Sequence, residues 1–579
     1  MRIWDLRRGD ADDDHTSPAG RGLRSVVLSA VLEFNYLHAL IGLLALIIGP
    51  ALLVGLVPSV AVTYGRLTVH TATSAGDSLI VALVLVAVLV GVALGIGRPL
   101  LAMAVDNFWH LHYTLVFPLF VAVRELLRAL VERWRGRSIP PDQLERGRRI
   151  ATVLAALLLG GGGLTLAVLV DVSLGLQLVD VTHVRVWAVT QAALGNAAVV
   201  LGLSAAAESL YWIWRELSLR EPVRDWVPTP SNADASAVRV AHLSDLHLVG
   251  ERYGYRMEAG THGPRGNGCI RRAWRQLAAI HAVTPVERVF VTGDVTDAGT
   301  RAEWAEFLDL LRGCPALRER LSFVPGNHDV NIIDRTNPAR LELPWSARQS
   351  LRQLRVVLAL DAVQGGRAHV VDRASGVLGP SLKDYLRDGD RAERLRALAQ
   401  RGTLRGRREM AKVWEAIFPL VEPPRAGEGY GVILLNSNAR SHVALTNAIG
   451  VVDPSQLRAL KLVLQQHPRH AWIILLHHHI LEHPGESISL RERIGLALVN
   501  APDVLAALAP HAARILVLHG HRHRDWIGTY RGVTLCSAPS AALGADAADK
   551  YRGSFHVHDL AVGVGGGVRL TRTERVRVG

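Results

Sequence analysis

The sequence predicts an α-helical transmembrane N-terminal half joined to a layered α/β C-terminal domain. Three features carry this: four uncharged apolar stretches before residue 210, a change at Val238 to short β-branched runs alternating with helical sequence, and five polar clusters that each follow an apolar run. At 579 residues the chain is too long for one core. Hydrophobic residues make up 49% of it and the mean hydropathy is +0.20, high for a soluble protein.

The stretches Tyr36–Tyr64, Ser78–Gly97, Ile150–Val170 and Val186–Ala207 contain no Asp, Glu, Lys or Arg. Each is as long as the roughly 20 residues a helix needs to cross a bilayer core. A fifth stretch, Asn107–Val123, is shorter, contains His110, His112 and Pro118, and runs into the amphipathic Arg124–Arg128; it reads as a span or as an interfacial segment. Intramembrane charges, the usual markers of an ion path, are missing from the four spans, which counts against a transporter. Gly160–Gly163, in mid-span, reads as a close-packing site between helices.

Arginines crowd the segment 124–149, and Tyr211, Trp212, Trp214 and Arg215 follow the last span. By the positive-inside rule both regions are cytoplasmic, with the aromatic residues as an interfacial anchor. Four spans then place the N-terminus on the same side. The expected location is integral to an inner or plasma membrane, with the C-terminal domain cytoplasmic. The formal charge of +13 comes almost wholly from arginine. It lacks the aromatic interleaving of a nucleic-acid surface and is better matched to lipid headgroups. Cys269, Cys314 and Cys536 are odd in number and widely spaced, so no disulfide framework is expected.

The expected organisation is a polar segment at 1–33, a multi-span domain at 34–220, a Pro/Ser-containing linker at 221–237, and an α/β domain at 238–579. Within the last, Val238–Leu243, Val289–Thr292, Leu321–Val324, Val432–Leu435, Trp472–Leu476 and Ile515–Leu518 read as buried strands. Ile270–Ala282, Arg301–Leu311 and Pro454–Gln466 read as helices between them. The arginine-rich region 331–430 shows no clear strand and reads as a helical insertion, a cap over the site or a structural arm.

The five clusters are Ser244-Asp245-Leu246-His247, Gly293-Asp294-Val295-Thr296-Asp297, Gly326-Asn327-His328-Asp329, His477-His478-His479 and Gly520-His521-Arg522-His523. Asp245 and His247 are two apart at a strand end and point the same way in extended chain. His521 and His523 repeat that spacing. Asp294 follows a glycine that lets backbones approach closely, and Asn327 adds a neutral carboxamide oxygen. Carboxylates, an amide and imidazoles together form the donor mixture for a pair of divalent metals. Ser244 and Thr296 have no nucleophile context and read as structural.

The order of these clusters resembles the calcineurin-like metallophosphoesterase superfamily, over roughly Val238 to Gly579, and implies a β-sandwich flanked by helices. The resemblance implies that Asp245, His247, Asp294 and His523 hold one metal ion. Asp294, Asn327, His478 and His521 would hold the other, with Asp294 as the bridge and His328 facing substrate. Within the histidine triplet His478 is favoured and His477 is the other candidate; the assignment stays open because Ile480 follows the triplet where the family usually has a proline soon after the strand histidine. Two divalent ions, with manganese, iron or zinc suiting the nitrogen-rich set, are the implied cofactors. The expected activity is hydrolysis of a phosphodiester, phosphomonoester or pyrophosphate of a phosphorylated small molecule or lipid-linked substrate. A cyclic-nucleotide phosphodiesterase is the alternative enzyme, and a membrane receptor or scaffold that only binds ligand is the alternative of another class. Membrane lipids are the other expected partner, and no specific nucleic acid is indicated.

Overall fold

The computed structural model describes residues 116–135, 141–174, 185–218, 223–228, 236–251, 266–330, 340–341, 347–425, 429–438, 443–444, 448–481, 498–543, 553–563 and 566–579, with residues 3–5 and a few single positions before 70. The expected spans Tyr36–Tyr64 and Ser78–Gly97, and Asn107–Val123 before residue 116, lie outside the described residues apart from those single positions.

Two helices among the described residues are long and apolar enough to cross a membrane, Arg149–Leu174 and Val186–Trp214. They lie within the longer helices Pro141–Leu174 and Val186–Ser218 and match the third and fourth expected spans. The glycine run explains how closely they pack. A Cβ added to Gly163 would stand 2.6 Å from the Gly202 carbonyl oxygen, and one on Gly160 would stand 2.7 Å from Ser209 Cβ, whereas Gly161 and Gly162 face open space. On the same helix pair Leu157, Leu158, Leu169 and Leu194 are exposed.

The C-terminal domain holds two large sheets. The nine-stranded sheet runs, in spatial order, Arg224–Asp225, Trp526–Tyr530, Val533–Ser537, Ile515–His519, Ala471–Leu475, Tyr430–Leu434, Leu420–Glu422, His369–Val371 and Leu378–Ser381. Its four central strands, from Val533–Ser537 to Tyr430–Leu434, are parallel. The five-stranded sheet runs Val568–Arg577, Ser554–Val562, Ser236–Leu243, Arg288–Val291 and Leu321–Phe323, the last three parallel. All six strands expected from the sequence are present.

Strand alternation divides the core. Ile473 and Leu475 pack with Phe290 and Phe323 of the other sheet, while Trp472, Ile474 and Leu476 pack beneath the helix Pro454–Gln466. The larger sheet is thus buried on both faces, which is why its parallel strands read as continuous apolar runs. Helix starts follow local chemistry: Thr300 and Glu303 form a capping box on Arg301–Arg312, and Asp453 caps Pro454–Gln466 with proline in the first turn.

Two sequence expectations change here. The region 331–430 does hold helices, at Ala347–Gln364, Leu382–Arg387, Gly389–Arg401 and Leu404–Ile417, but also the strands His369–Val371, Leu378–Ser381 and Leu420–Glu422, which extend the larger sheet. Leu354, Met410 and Trp414 join the core shared by the two sheets, so these helices build the domain. Strands of three or four residues are too short to show a period. Arg224–Asp225, within the expected linker, pairs with Trp526–Tyr530 at the sheet edge.

The helical half docks on this domain. Phe120 and Trp212 stack with centroids 5.0 Å apart and pack with Ile449, Val451 and Val499. Tyr211 donates a 2.5 Å hydrogen bond to Asp503. Between Ile449 and Val451, Gly450 leaves no room for a Cβ, which would overlap the ring of His478.

A buried ion pair ties the two sheets. Arg288 and Glu422, each 1% exposed, meet at 2.7 Å, and Ser322 and Arg367 also bond to Glu422 at 2.8 and 3.1 Å. Glu422→Ala strands Arg288 without its counterion and is expected to cost about 3–5 kcal/mol. The fall in the thermal unfolding midpoint should exceed that of the paired change Arg288→Met with Glu422→Leu.

Candidate metal centre

The site lies where the C-terminal ends of parallel strands from both sheets meet, the usual ligand edge of an open α/β sheet. Asp245 and His247 follow Ser236–Leu243, Asp294 follows Arg288–Val291, and Asn327 and His328 follow Leu321–Phe323. His477 follows Ala471–Leu475, and His521 and His523 follow Ile515–His519. Short loops after these strands must turn at once while aiming side chains inward, and the backbone records it. Asp245, His247, Asp294, His521 and His523 have φ of 53°, 44°, 46°, 75° and 54°; among the described residues Arg531 alone joins them as a non-glycine with positive φ. Such backbone costs on the order of 1–3 kcal/mol per residue and persists where the surroundings over-determine it.

Those surroundings are a mesh of hydrogen bonds. The buried Asp329 carboxylate accepts from the amides of Val295, Thr296 and Gly326 and from Thr296 Oγ1, binding the second and third clusters together. His328 N donates to Asp294 Oδ1 at 2.8 Å, and His521 N to Asp245 Oδ2 at 3.1 Å. Asp245 and His247 amides donate to the carbonyls of Gly293 and Asp294. Arg352 and Arg355, from the helix Ala347–Gln364, donate to the carbonyls of Ala298 and Gly299 and brace the loop after Asp297. Thr296 and Ser244 are structural here, as expected, Ser244 Oγ donating to the Thr292 carbonyl.

The donor atoms gather in two adjoining sets, Asp245, His247 and His523 in one and Asp294, His477 and His521 in the other, each within 4.8 Å internally. Asp294 reaches both: its Oδ2 is 3.3 Å from His477 Nε2 and 3.9 Å from His247 Nε2. His523 Nε2 is 3.3 Å from Asp245 Oδ1. Asn327 Oδ1 lies 3.0 Å from His477 Nε2, which is 3.1 Å from His521 Nδ1.

The triplet resolves in favour of its other member. His477 meets Asn327, Asp294 and His521, whereas His478 turns Nδ1 to Ser437 Oγ at 2.8 Å. Of the two, it is His477, the alternative to the expected His478, whose Nε2 faces Asp294 and Asn327. The reason is local: His477 Nδ1 is held by the Thr292 carbonyl at 2.8 Å, which aims Nε2 at the centre.

Asp297, quoted within its cluster but given no role, also belongs to the site. Its Oδ1 is 3.5 Å from His247 Nδ1, and its carbonyl is 2.7 Å from His328 Nδ1. The signal was its place three residues after Asp294.

The electrostatics suit cations. Burial favours the neutral form of Asp294, but the facing imidazoles of His477 and His328 outweigh it and hold the carboxyl well below its ordinary range. Burial likewise opposes and His523 restores the charge on Asp245, which is lowered. Burial first, then neighbouring imidazoles, lower His247 and push His521 well down, leaving lone pairs free. His477 goes the other way: burial lowers it, but Asp294 and Asp245 prevail and carry it up to about 9. Burial and then Asp294 raise Asp329 to about 6. His521 Nε2 is buried without a hydrogen-bond partner. Ionised Asp245 and Asp294 carboxylates and the free lone pairs of His247 and His521 fit a pair of divalent cations.

A family model described as calcineurin-like phosphoesterase matches residues 238–525. A probable cyclic nucleotide phosphodiesterase of Coxiella burnetii is 27% identical over 106 residues, which is 18% of this chain and 38% of that protein. The chain therefore spans well under half the length of the curated relative it matches. Among solved structures, a putative 5'-nucleotidase from Staphylococcus aureus has 14% identity and a TM-score of 0.31, covering 59% of this chain and 54% of that one. A dimetal phosphatase from Danio rerio has 16% identity and a TM-score of 0.30, covering 59% and 98%.

The contrast within the triplet is testable by metal analysis. Desalted full-length His477→Ala is expected to lose at least one divalent ion per chain relative to the unaltered protein, and His478→Gln to lose none. The reverse result would restore His478 as the ligand.

Proposed function

Through residues 238–525 the chain belongs to the calcineurin-like phosphoesterase family, and from that premise we propose a membrane-anchored, dinuclear metal-dependent phosphoesterase. What supports this most is the position of Asp294, whose carboxylate faces imidazoles of both donor sets. In the proposed assignment Asp245, His247, Asp294 and His523 hold one ion, and Asp294, Asn327, His477 and His521 hold the other. Manganese, iron or zinc suits this nitrogen-rich set. When bound, the pair supplies a nucleophile at neutral pH and neutralises the phosphoryl oxygens.

The chain's own residues then set the geometry. His328 donates Nδ1–H to the Asp297 carbonyl at 2.7 Å, which fixes the ring and leaves Nε2, 4.0 Å from Asp294 Oδ2, as its working atom. Its side chain is 27% exposed where Asp294 is 3% exposed, so it stands at the mouth of the site, open to a substrate. As the general acid, His328 would give an Nε2 proton to the departing oxygen while Nδ1–H stays on the carbonyl. The family attack needs no covalent bond to the protein, and Thr296 and Ser244 are committed to the structural bonds above.

The membrane half supports a substrate close to a bilayer, such as a phosphodiester or pyrophosphate of a lipid-linked metabolite. A cyclic nucleotide is the second candidate, favoured by the Coxiella burnetii relative. For orientation, Ile3 and Trp4 pack against the core of the α/β domain. A chain whose N-terminus and C-terminal domain share one side of a bilayer crosses it an even number of times, which favours four spans over five. Together with the arginines of 124–149, this supports a cytoplasmic site.

Asp294→Asn is expected to lower hydrolysis of bis(p-nitrophenyl) phosphate by more than about 100-fold. Chelation should abolish the activity of the unaltered protein and manganese should restore it. For His328→Gln the expectation is a kcat lower by about 100- to 10,000-fold with metal content unchanged. Turnover of the Asp294 variant at the unaltered rate would sink the dinuclear assignment. A cysteine introduced between 136 and 140 should react with an impermeant maleimide only after lysis; labelling in intact cells would reverse the orientation.

A further inference from the structure

Three histidines outside this centre form a second cluster. His556 and His558 alternate on one face of the strand Ser554–Val562, and His556 stands directly opposite His242 of Ser236–Leu243. All three are 0% exposed, and one nitrogen of each lies within 4.8 Å of the others.

Each ring is held from outside by an oxygen. His242 Nε2 meets Thr292 Oγ1 at 3.0 Å, His558 Nδ1 meets Thr573 Oγ1 at 2.9 Å, and His556 Nε2 meets Asp525 Oδ1 at 2.9 Å. The nitrogens left over are His242 Nδ1, His558 Nε2 and His556 Nδ1. The first two are 3.4 Å apart, and the third is buried with no hydrogen-bond partner. Two imidazole nitrogens on one tetrahedral zinc ion, at bonds of about 2.0–2.1 Å, stand about 3.4 Å apart.

Without a cation the arrangement is poorly accounted for. One N–H···N bond satisfies the inner atoms of His242 and His558 but leaves the buried His556 Nδ1 without a protein partner, a cost of about 1–3 kcal/mol. Burial and neighbouring histidines keep His242 and His558 well below the usual imidazole range, so their lone pairs are available. The outer oxygens match those that orient metal-bound imidazoles, Asp525 and His556 forming the carboxylate–histidine element.

We propose that His242, His556 and His558 bind a third ion, a single zinc, separate from the dinuclear centre. The site joins strands from the two ends of the domain. Through Thr292 it also adjoins the catalytic centre, since the Thr292 hydroxyl meets His242 and its carbonyl meets His477 Nδ1.

Zinc-edge anomalous diffraction from the full-length protein, saturated with zinc and desalted, tests this directly. The expected map has a peak among the three imidazoles in addition to those at Asp294. Peaks at the dinuclear centre with none at the triad would overturn the proposal, and this result needs no variant to fold. In solution, His558→Gln should carry one zinc fewer per chain than the unaltered protein, and Asp294→Asn should keep the triad zinc. Equal zinc content in His558→Gln and the unaltered protein would also overturn it.

Discussion

One carboxylate, that of Asp294, organises the catalytic edge. It is 3% exposed and faces imidazoles carried by loops of both sheets. The approach of those loops leaves no room for side chains: a Cβ on Gly326 would overlap the Asp294 carboxylate, one on Gly293 the His477 ring, and one on Gly520 Ser244 and Asp245. Glycine stands before Asp294, Asn327 and His521 because only a bare backbone lets strand ends converge so tightly. The left-handed backbone of five donor residues is the conformational cost of that convergence.

The rest of the domain holds these loops still. Asp329 gathers amides from two clusters, and Asn438 reaches from a neighbouring strand end to the Pro325 carbonyl at 3.1 Å. The helix Ala347–Gln364 braces the Asp297 loop with two buried arginines, so the arginine-rich region serves the site from behind. Arg288 and Glu422 fix the smaller sheet to the larger one. On the far side, Gly450 presses against His478 while its neighbours Ile449 and Val451 pack on Phe120 and Trp212. The helical half and the catalytic edge thus share a wall one residue thick.

Much of this was legible along the chain. The parallel strands are continuous apolar runs because both faces of their sheets are buried, and a polar cluster after such a run marks the edge where ligands bind. Two apolar helices stand where the third and fourth uncharged stretches predict them. Less was legible between residues 331 and 430, where three short strands borrow their register from neighbours. Asp297 lay in plain view, but its role comes from the fold of its loop around His247 and His328.

The sequence by itself determined the kind of chemistry, because donor types and strand periodicity are local properties that survive without partners. Asp245, His247, Asp294, Asn327, His328, His521 and His523 could all be read this way. Only the tertiary structure turns His477 toward Asp294, because beyond a strand end the direction of a side chain is set by what receives it, here the Thr292 carbonyl. Only the structure brought His242 to His556 and His558, more than 300 positions away in the chain and opposite in register. Which distant strands become neighbours depends on the packing of whole sheets, and no local pattern names the partner.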